Sequence, residues 1–250
     1  MNHTAIVNRL KPYASDVSKA GSLPLIISEI GSALGGSPVQ WGGGFGAAMW
    51  AVDIHLAAMA RGIKQMCNTQ APTATHGFWV PDNSGRHTTG PAVHGIFPAA
   101  AFITNFVGKD DTLGKVVELP SSDSQFSAYA MYNLKSNKPQ RIALLNLHEW
   151  NQDSKSKRGT SQVTLDVGDE VKSAEGRYMS SVSGSLAHGF DLGGQDEVVT
   201  FAGEQWSYKL NTGKGSYVSD GKEQTKKLTV KGGKVTVPVQ DTEAIVINLE

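Results

Sequence analysis

The sequence lacks the features that mark several functional classes of protein. Its 250 residues include one cysteine, Cys67, so the chain cannot form an internal disulfide. Cysteine usage therefore does not indicate whether the protein works in an oxidising or a reducing compartment. No stretch has the roughly 20 apolar residues that a membrane span requires. The opening residues 1–7 lack the cationic start and apolar core of a secretory signal. The formal net charge is zero, which predicts neither a nucleic-acid partner nor an anionic membrane surface.

Charged residues are scarce in the first part of the chain. Residues 1–115 contain 8 Lys/Arg and 6 Asp/Glu, whereas residues 116–250 contain 15 and 17. Sparse charge is typical of elements buried on several sides, as in a parallel α/β layer. The richer charge of the second part favours antiparallel sheet with one solvated face. We therefore expect two domains, 1–115 and 116–250.

The pattern in residues 1–115 alternates helices and strands. Helices are predicted at 4–10 and 15–20, with Pro12 kinking or restarting the run, at 45–59 and at 96–106. Strands are predicted at 23–28, buried on both faces, and at 63–67. This order matches the last two strands and helices of a (β/α)8 barrel. A complete barrel takes about 250 residues, so only a fragment is expected.

Residues 116–250 are expected to be strands separated by turns. Eight short strands are predicted, at 126–133, 141–147, 163–167, 197–201, 206–210, 228–230, 235–239 and 244–249. The first two are separated by a segment that contains Lys-Ser-Asn-Lys-Pro (135–139), and they form a plausible hairpin. Many short strands at this spacing are typical of an antiparallel β-sandwich.

Glu29 is the strongest candidate for chemistry. It is the only glutamate in residues 1–115, and it directly follows the apolar run 23–28. Catalytic side chains of barrels sit at the carboxyl ends of strands. A carboxylate there can attack an anomeric carbon and form a covalent glycosyl-enzyme. The other interpretation is a glutamate that ends a strand and accepts hydrogen bonds from the next loop.

Other motifs give weaker signals, and no cofactor or metal is predicted. The glycine-rich run 42–47 resembles a dinucleotide fingerprint, but it begins well after the strand, and no acidic residue ends the next strand. His76, His87 and His94 share a long loop with Asp82, yet their spacing fits no standard zinc pattern. A hydrogen-bonded loop explains these histidines more simply.

Two segments resemble glycoside hydrolase family 79, which includes fungal β-glucuronidases and, more distantly, heparanases. Residues 23–32, with the motif Ser28-Glu29-Ile30-Gly31-Ser32, and residues 45–53 look like the family's seventh barrel strand and following helix. The opening residues 2–6 look like the segment after the sixth strand. The strand-rich tail is similar to the family's C-terminal β-domain. The chain therefore resembles the C-terminal portion of such an enzyme.

The resemblance implies that Glu29 is the nucleophile of a retaining β-glucuronidase-type enzyme that acts on β-glucuronides. It places the acid/base at the end of the fourth strand, outside this sequence. Asp53, inside a helix, and Asp82, Asp110 and Asp111, in or near loops, are poor substitutes. We therefore expect the chain to be inactive alone, with the missing N-terminal barrel half as a partner. Family members are generally extracellular.

Three residues are candidates for contacts with the sugar: Trp41, His76 and Trp79. Aromatic faces stack on sugar rings, although anchoring of loops against the barrel explains these residues equally well. A second function remains open, namely a truncated, non-catalytic product or a carbohydrate-binding or structural β-sandwich module. The missing acid/base and barrel strands motivate that alternative.

Overall fold

The computed structural model describes residues 1–34, 36–72, 74–81, 90–108 and 114–250. Asp82, His87, Asp110 and Asp111 lie outside the described residues. The helices are α1 (His3–Lys19), α2 (Val39–Gly42), α3 (Phe45–Ala60), α4 (Pro98–Val107), α5 (Phe190–Gly193) and α6 (Tyr208–Asn211), with a 3-10 turn at Gly194–Glu197. None of the helices within these ranges is both long and apolar enough to cross a lipid bilayer.

Strands form the larger part of the fold. They are β1 (Ile26–Ile30), β2 (Gln65–Asn68), β3 (Trp79–Val80), β4 (Ala92–Val93), β5 (Gly114–Leu119), β6 (Phe126–Asn133), β7 (Lys138–Asn146), β8 (Thr160–Asp166), β9 (Ala174–Ser181), β10 (Val199–Phe201), β11 (Glu204–Trp206), β12 (Gly215–Tyr217), β13 (Lys226–Leu228), β14 (Val230–Lys231), β15 (Lys234–Gln240) and β16 (Glu243–Leu249). The protein is thus mostly β-sheet with a few helices.

The predicted strand–helix–strand order before residue 70 is confirmed. β1 and β2 pair in parallel, with Ile26 opposite Gln65 and Ile30 opposite Asn68, and α3 lies between them in the chain. A parallel pair needs such a crossover, because a tight turn can join only antiparallel strands. The helix α4 is confirmed as well, with Pro98 in its first turn, where a missing N–H costs nothing.

Two local predictions in this part are wrong. The first helix is continuous, with Pro12 inside it, because Pro12 and Asn8 lie on the exposed side, where water can bond the carbonyl that loses its N–H partner. β1 is not buried on both faces but largely exposed. Its one partner among the described strands is β2, so no second neighbour covers it.

A nine-stranded sheet organises the rest of the described chain. Its main path runs β12-β11-β10-β9-β16-β7-β6-β5, and β13 also pairs with β9. The predicted hairpin is confirmed, since β6 and β7 are antiparallel with Asn133 opposite Lys138. A second sheet of three strands, β14-β15-β8, lies over the large one.

The two faces of the large sheet belong to two cores. On one face, Leu145 and Val246 pack in a cluster with Leu10, Met49 and Phe102, which come from α1, α3 and α4. On the other face, Leu144 and Ile245 pack with Val237 of the three-stranded sheet. Successive residues of a strand point to opposite faces, which is why neighbouring leucines enter different cores. This packing fixes the helices on the sheet, and the β1–β2 pair packs against the same cluster through Ile27, Ile30 and Met66.

Candidate functional site

Glu29 lies at the carboxyl end of β1, and its side chain is exposed. Thr69 follows β2 directly and donates a hydrogen bond from Oγ1 to Glu29 Oε1 over 3.2 Å. The backbone N–H of Thr69 also donates to the carbonyl of Ile30 over 2.8 Å, which continues the parallel pairing beyond the strands. Because parallel strands end at the same edge, the two side chains meet there, and the carboxylate is held by a neutral donor.

His76 is the second group at this edge. Its side chain is buried, with 7% of the residue exposed, and both ring nitrogens lack a hydrogen-bond partner among the described residues. Burial lowers the pKa of His76 below its ordinary value, and the negative charge of Glu29 opposes that effect. The pair therefore combines an exposed carboxylate with a nearby imidazole whose pKa is lowered by burial.

The glycine-rich segment after β1 packs closely on this histidine. A Cβ on Gly31 would lie 2.6 Å from His76 Cδ2, and a Cβ on Gly42 would lie 3.3 Å from His76 Cβ. Ser32 fastens the segment, since its hydroxyl donates to the carbonyl of Gly42 over 2.6 Å. These glycines permit the close approach of backbone to His76 that a side chain would prevent.

A series of side-chain hydrogen bonds supports the end of β2 and the residues that follow it. Asn68 bonds to His55 Nε2 through Nδ2 over 3.1 Å, and His55 Nδ1 bonds to the carbonyl of Ala51 over 2.7 Å. Burial lowers the pKa of His55, partly offset by that carbonyl. One residue past Thr69, Gln70 accepts from the N–H of Phe78 over 2.8 Å and donates to the carbonyl of Trp79. The chain after β2 is therefore folded back towards the site.

The two tryptophans predicted to contact the sugar, Trp41 and Trp79, are on the surface. Trp41 in α2 is 69% exposed, and Trp79 in β3 is 44% exposed. Trp79 lines a cavity of about 380 Å³ together with Phe97 and Tyr208. Glu29 is not among the described residues that line this cavity. The structure thus places His76 near Glu29, and Gln70, the residue after Thr69, bonds to the backbone of Phe78 and Trp79.

Thr69 and the buried network around Asp53 were missed from the sequence. No sequence signal singles out Thr69, because Asn68 is the first polar residue after the predicted strand 63–67 and the role of Thr69 depends on the parallel register. Asp53 is fully buried in α3, where it bonds to His3 Nδ1 at 3.0 Å and accepts from the hydroxyl of Tyr129 at 2.5 Å. Asp53 therefore supports packing of the helices on the sheet. Across the described ranges, no cluster of three or more His, Cys, Asp or Glu could hold a metal ion.

Comparison with protein families and sequences gives consistent matches. Residues 128–246 match the glycosyl hydrolase family 79 C-terminal beta domain. The chain is 26% identical over 230 residues to a beta-glucuronidase of Aspergillus niger, covering 87% of this chain and 40% of the relative. It is 29% identical over 140 residues to a beta-glucuronidase of Neurospora crassa, covering 53% of this chain and 25% of the relative.

Solved structures share the fold over the whole chain. A 4-O-alpha-L-rhamnosyl-beta-D-glucuronidase from Fusarium oxysporum 12S superposes with a TM-score of 0.76 at 23% identity, covering 100% of this chain and 49% of that one. A GH51 arabinofuranosidase from Xanthomonas axonopodis pv. citri gives a TM-score of 0.57 at 13% identity, covering 100% and 48%. The chain thus spans less than half the length of these relatives.

Proposed function

We propose, from the chain's confirmed resemblance to the C-terminal portion of glycoside hydrolase family 79, that it is part of a retaining enzyme that cleaves β-glucuronides, with Glu29 as nucleophile. The observation that carries this proposal is the exposed carboxylate at the carboxyl end of β1, hydrogen-bonded by Thr69 from the adjacent parallel strand. Catalytic carboxylates of barrel enzymes occupy this type of position. The beta-glucuronidase names of the sequence relatives support the substrate class.

The β1–α3–β2 unit with α4 is proposed to be a remnant of a (β/α)8 barrel, and residues 116–250 a β-sandwich domain. The parallel pairing of β1 and β2 supports the first part, and the two facing sheets support the second. The remaining strands and the acid/base carboxyl would come from an N-terminal barrel half. Without that half the chain is expected to be inactive.

The proposed reaction has two steps. An oxygen of Glu29 attacks the anomeric carbon while the bond to the aglycone oxygen breaks, and the acid/base donates a proton to that oxygen. In the second step, water gives a proton to the acid/base and attacks the anomeric carbon, and the bond between that carbon and Glu29 breaks. The two carboxyl groups of such an enzyme stand about 5 to 5.5 Å apart.

Trp41 and Trp79 are proposed as sugar contacts, since both indoles are exposed near the loops after β1 and β2. His76 is the third proposed contact. Its ring nitrogens are buried and without a partner among the described residues in this conformation, so it would bond to a sugar hydroxyl only after the side chains around it shift.

A fusion of this chain to the N-terminal part of the Aspergillus niger relative tests the proposal. We expect it to hydrolyse p-nitrophenyl β-D-glucuronide, and we expect Glu29→Gln to lower kcat by about 1,000-fold or more. Glu170→Gln, at an exposed glutamate of the β-domain, is the matched control and should leave kcat unchanged. Full activity in the Glu29→Gln fusion would remove the nucleophile assignment.

The second candidate is a non-catalytic carbohydrate-binding or structural β module. The exposure of β1 favours it, because a carboxylate on an uncovered strand has no enclosed site around it. Under this alternative the fusion would fold but show no hydrolysis, and the glutamate variant would behave like its parent.

A further inference from the structure

A cavity that Glu29 does not line lies between α4 and the helix-facing side of the large sheet. Its volume is about 880 Å³, within the usual range for small-molecule sites. Its lining combines aromatic side chains, amides and charged groups contributed by α4, β7, β9, β11, β12 and β16. Phe97 lines both this cavity and the smaller one beside Trp79, whereas Glu29, Thr69 and His76 do not line it.

One wall of the cavity is aromatic. Trp206 in β11 packs against Phe97 with ring centroids 5.3 Å apart, and Tyr217 in β12 is 37% exposed beside it. Gly215 pairs with Trp206 across the two strands, and a Cβ at this glycine would overlap the carboxylate of Glu204 and lie 3.0 Å from Trp206 Nε1. The glycine therefore leaves space for the Glu204 carboxylate beside the indole. Flat aromatic faces of this kind bind the apolar faces of sugar rings.

The lining also holds two buried polar atoms that lack hydrogen-bond partners among the described residues. These are Nη1 of Arg177, a donor, and Oδ1 of Asn105, an acceptor. The other guanidinium nitrogens of Arg177 are used, with Nη2 2.9 Å from Glu175 and Nε 2.6 Å from Glu223. Buried polar groups are almost always bonded, so water or a ligand is expected at these two atoms.

The chemistry of the lining selects among ligands. A hydroxyl group both donates and accepts, so it can satisfy Arg177 and Asn105 alike. An ammonium ion would leave the arginine nitrogen unpaired, and a carboxylate would leave the amide oxygen unpaired. The lining also holds four glutamates against two arginines, an excess of negative charge that disfavours anionic sugars.

We propose that this cleft is a second, non-catalytic site that binds neutral sugar residues of an oligosaccharide, through stacking on Trp206 and Tyr217 and hydroxyl bonds to Arg177 and Asn105. The site is independent of the proposed function of Glu29, and it selects a different class of sugar from a β-glucuronide. It would hold a polysaccharide chain on the β-domain.

Calorimetric titration of the full chain with xylohexaose, cellohexaose, galactotetraose and tetragalacturonate tests the site. We expect at least one neutral oligosaccharide to bind with a Kd below about 1 mM, and tetragalacturonate to bind at least about tenfold more weakly. Tyr217→Ala and Asn105→Leu should each weaken binding by about tenfold or more. Asn105→Leu removes an unpartnered acceptor, so thermal melting should show that it folds.

Tyr13→Ala is the matched control, because Tyr13 is a similarly exposed aromatic residue on α1 outside the cleft. It should leave the Kd within about twofold of the parent value. Three results would each overturn the proposal: no neutral oligosaccharide binds, which would leave water as the occupant; tetragalacturonate binds as tightly; or both cleft variants bind like the control. None of them bears on Glu29.

Discussion

Replacement of Asp53 by alanine should sharply reduce the stability of the chain. Asp53 is fully buried between α3 and the large sheet, although it is an acidic residue. Its carboxylate lies 3.0 Å from His3 Nδ1 and 2.5 Å from the hydroxyl of Tyr129. His3 bonds in turn to Glu118, which Arg61 also contacts at 2.6 Å. One carboxylate therefore ties α1 and α3 to β5 and β6.

The magnitude follows from what the substitution leaves behind. Asp53→Ala removes the acceptor from two donors in a region with little water, and each unpaired buried group costs about 1 to 3 kcal/mol. Removing one partner of a buried ion pair costs about 3 to 5 kcal/mol in total. Domains of this size are stable by about 5 to 15 kcal/mol, so the loss is a large share.

Guanidinium denaturation followed by far-ultraviolet circular dichroism measures the free energy of unfolding. The matched control is Asp16→Ala on α1, where the exposed carboxylate lies 3.6 Å from Lys19. Exposed pairs contribute little, so this control should lose less than about 1 kcal/mol. A loss of less than about 1 kcal/mol for Asp53→Ala as well would refute the reasoning that the buried network fixes the helices on the sheet.

Three further predictions concern the site edge, a buried cap and pH. Gly31→Ala should lower both melting temperature and activity of the fusion enzyme, because its Cβ would lie 2.6 Å from His76; unchanged values for both would contradict this packing. Asp191→Ala should cost about 3 kcal/mol in urea unfolding, since this buried carboxylate accepts three backbone N–H bonds and one hydroxyl; a loss under about 1 kcal/mol would contradict it. Burial lowers the pKa of His3, but bonds and charges of Asp53 and Glu118 outweigh burial and raise it above 6.5. The stability that the protonated His3 provides is complete below pH about 6.5 and is lost as the pH rises through the folded pKa. In His3→Gln, the free energy of unfolding should therefore depend less on pH between about pH 6 and 9 than it does in the parent chain.

Local periodicity was enough to predict several elements. α3 and α4 have apolar residues at helical spacing, and both were predicted to within two residues at each end. The strand Phe126–Asn133 was predicted with its observed bounds, because turn residues flank an apolar run. In these segments local preference and tertiary packing favour the same structure.

The missed elements depend on partners far away in the chain. β9 has the sequence AEGRYMSS, which shows little apolar alternation, and it is held by pairing with β10 and β16 on its two sides. The predicted strand 206–210 ends at Trp206, because Ser207 caps the short helix α6 by accepting from the N–H of Leu210. Long-range pairing makes β9 a strand although its local strand propensity is weak, and local capping ends the predicted strand at Trp206.

The candidate site could be predicted only in part. Glu29 stood out because a single glutamate followed an apolar run, and His76 was named in the loop that the structure brings close to it. Thr69 was missed, because its role depends on the parallel register that places it beside Glu29. The roles of Trp41 and Trp79 in sugar binding remain predictions.

Covalent trapping tests the nucleophile role of Glu29 most directly. The reagent 2-deoxy-2-fluoro-β-D-glucuronosyl fluoride loses fluoride without needing a proton, so trapping depends on the nucleophile and not on the acid/base. In the fusion enzyme, mass spectrometry of proteolytic fragments should find one fluoroglucuronosyl group on the peptide that contains Glu29, and none in Glu29→Gln. A label on a different carboxylate, or hydrolysis of β-glucuronides with no label on Glu29, would contradict the account.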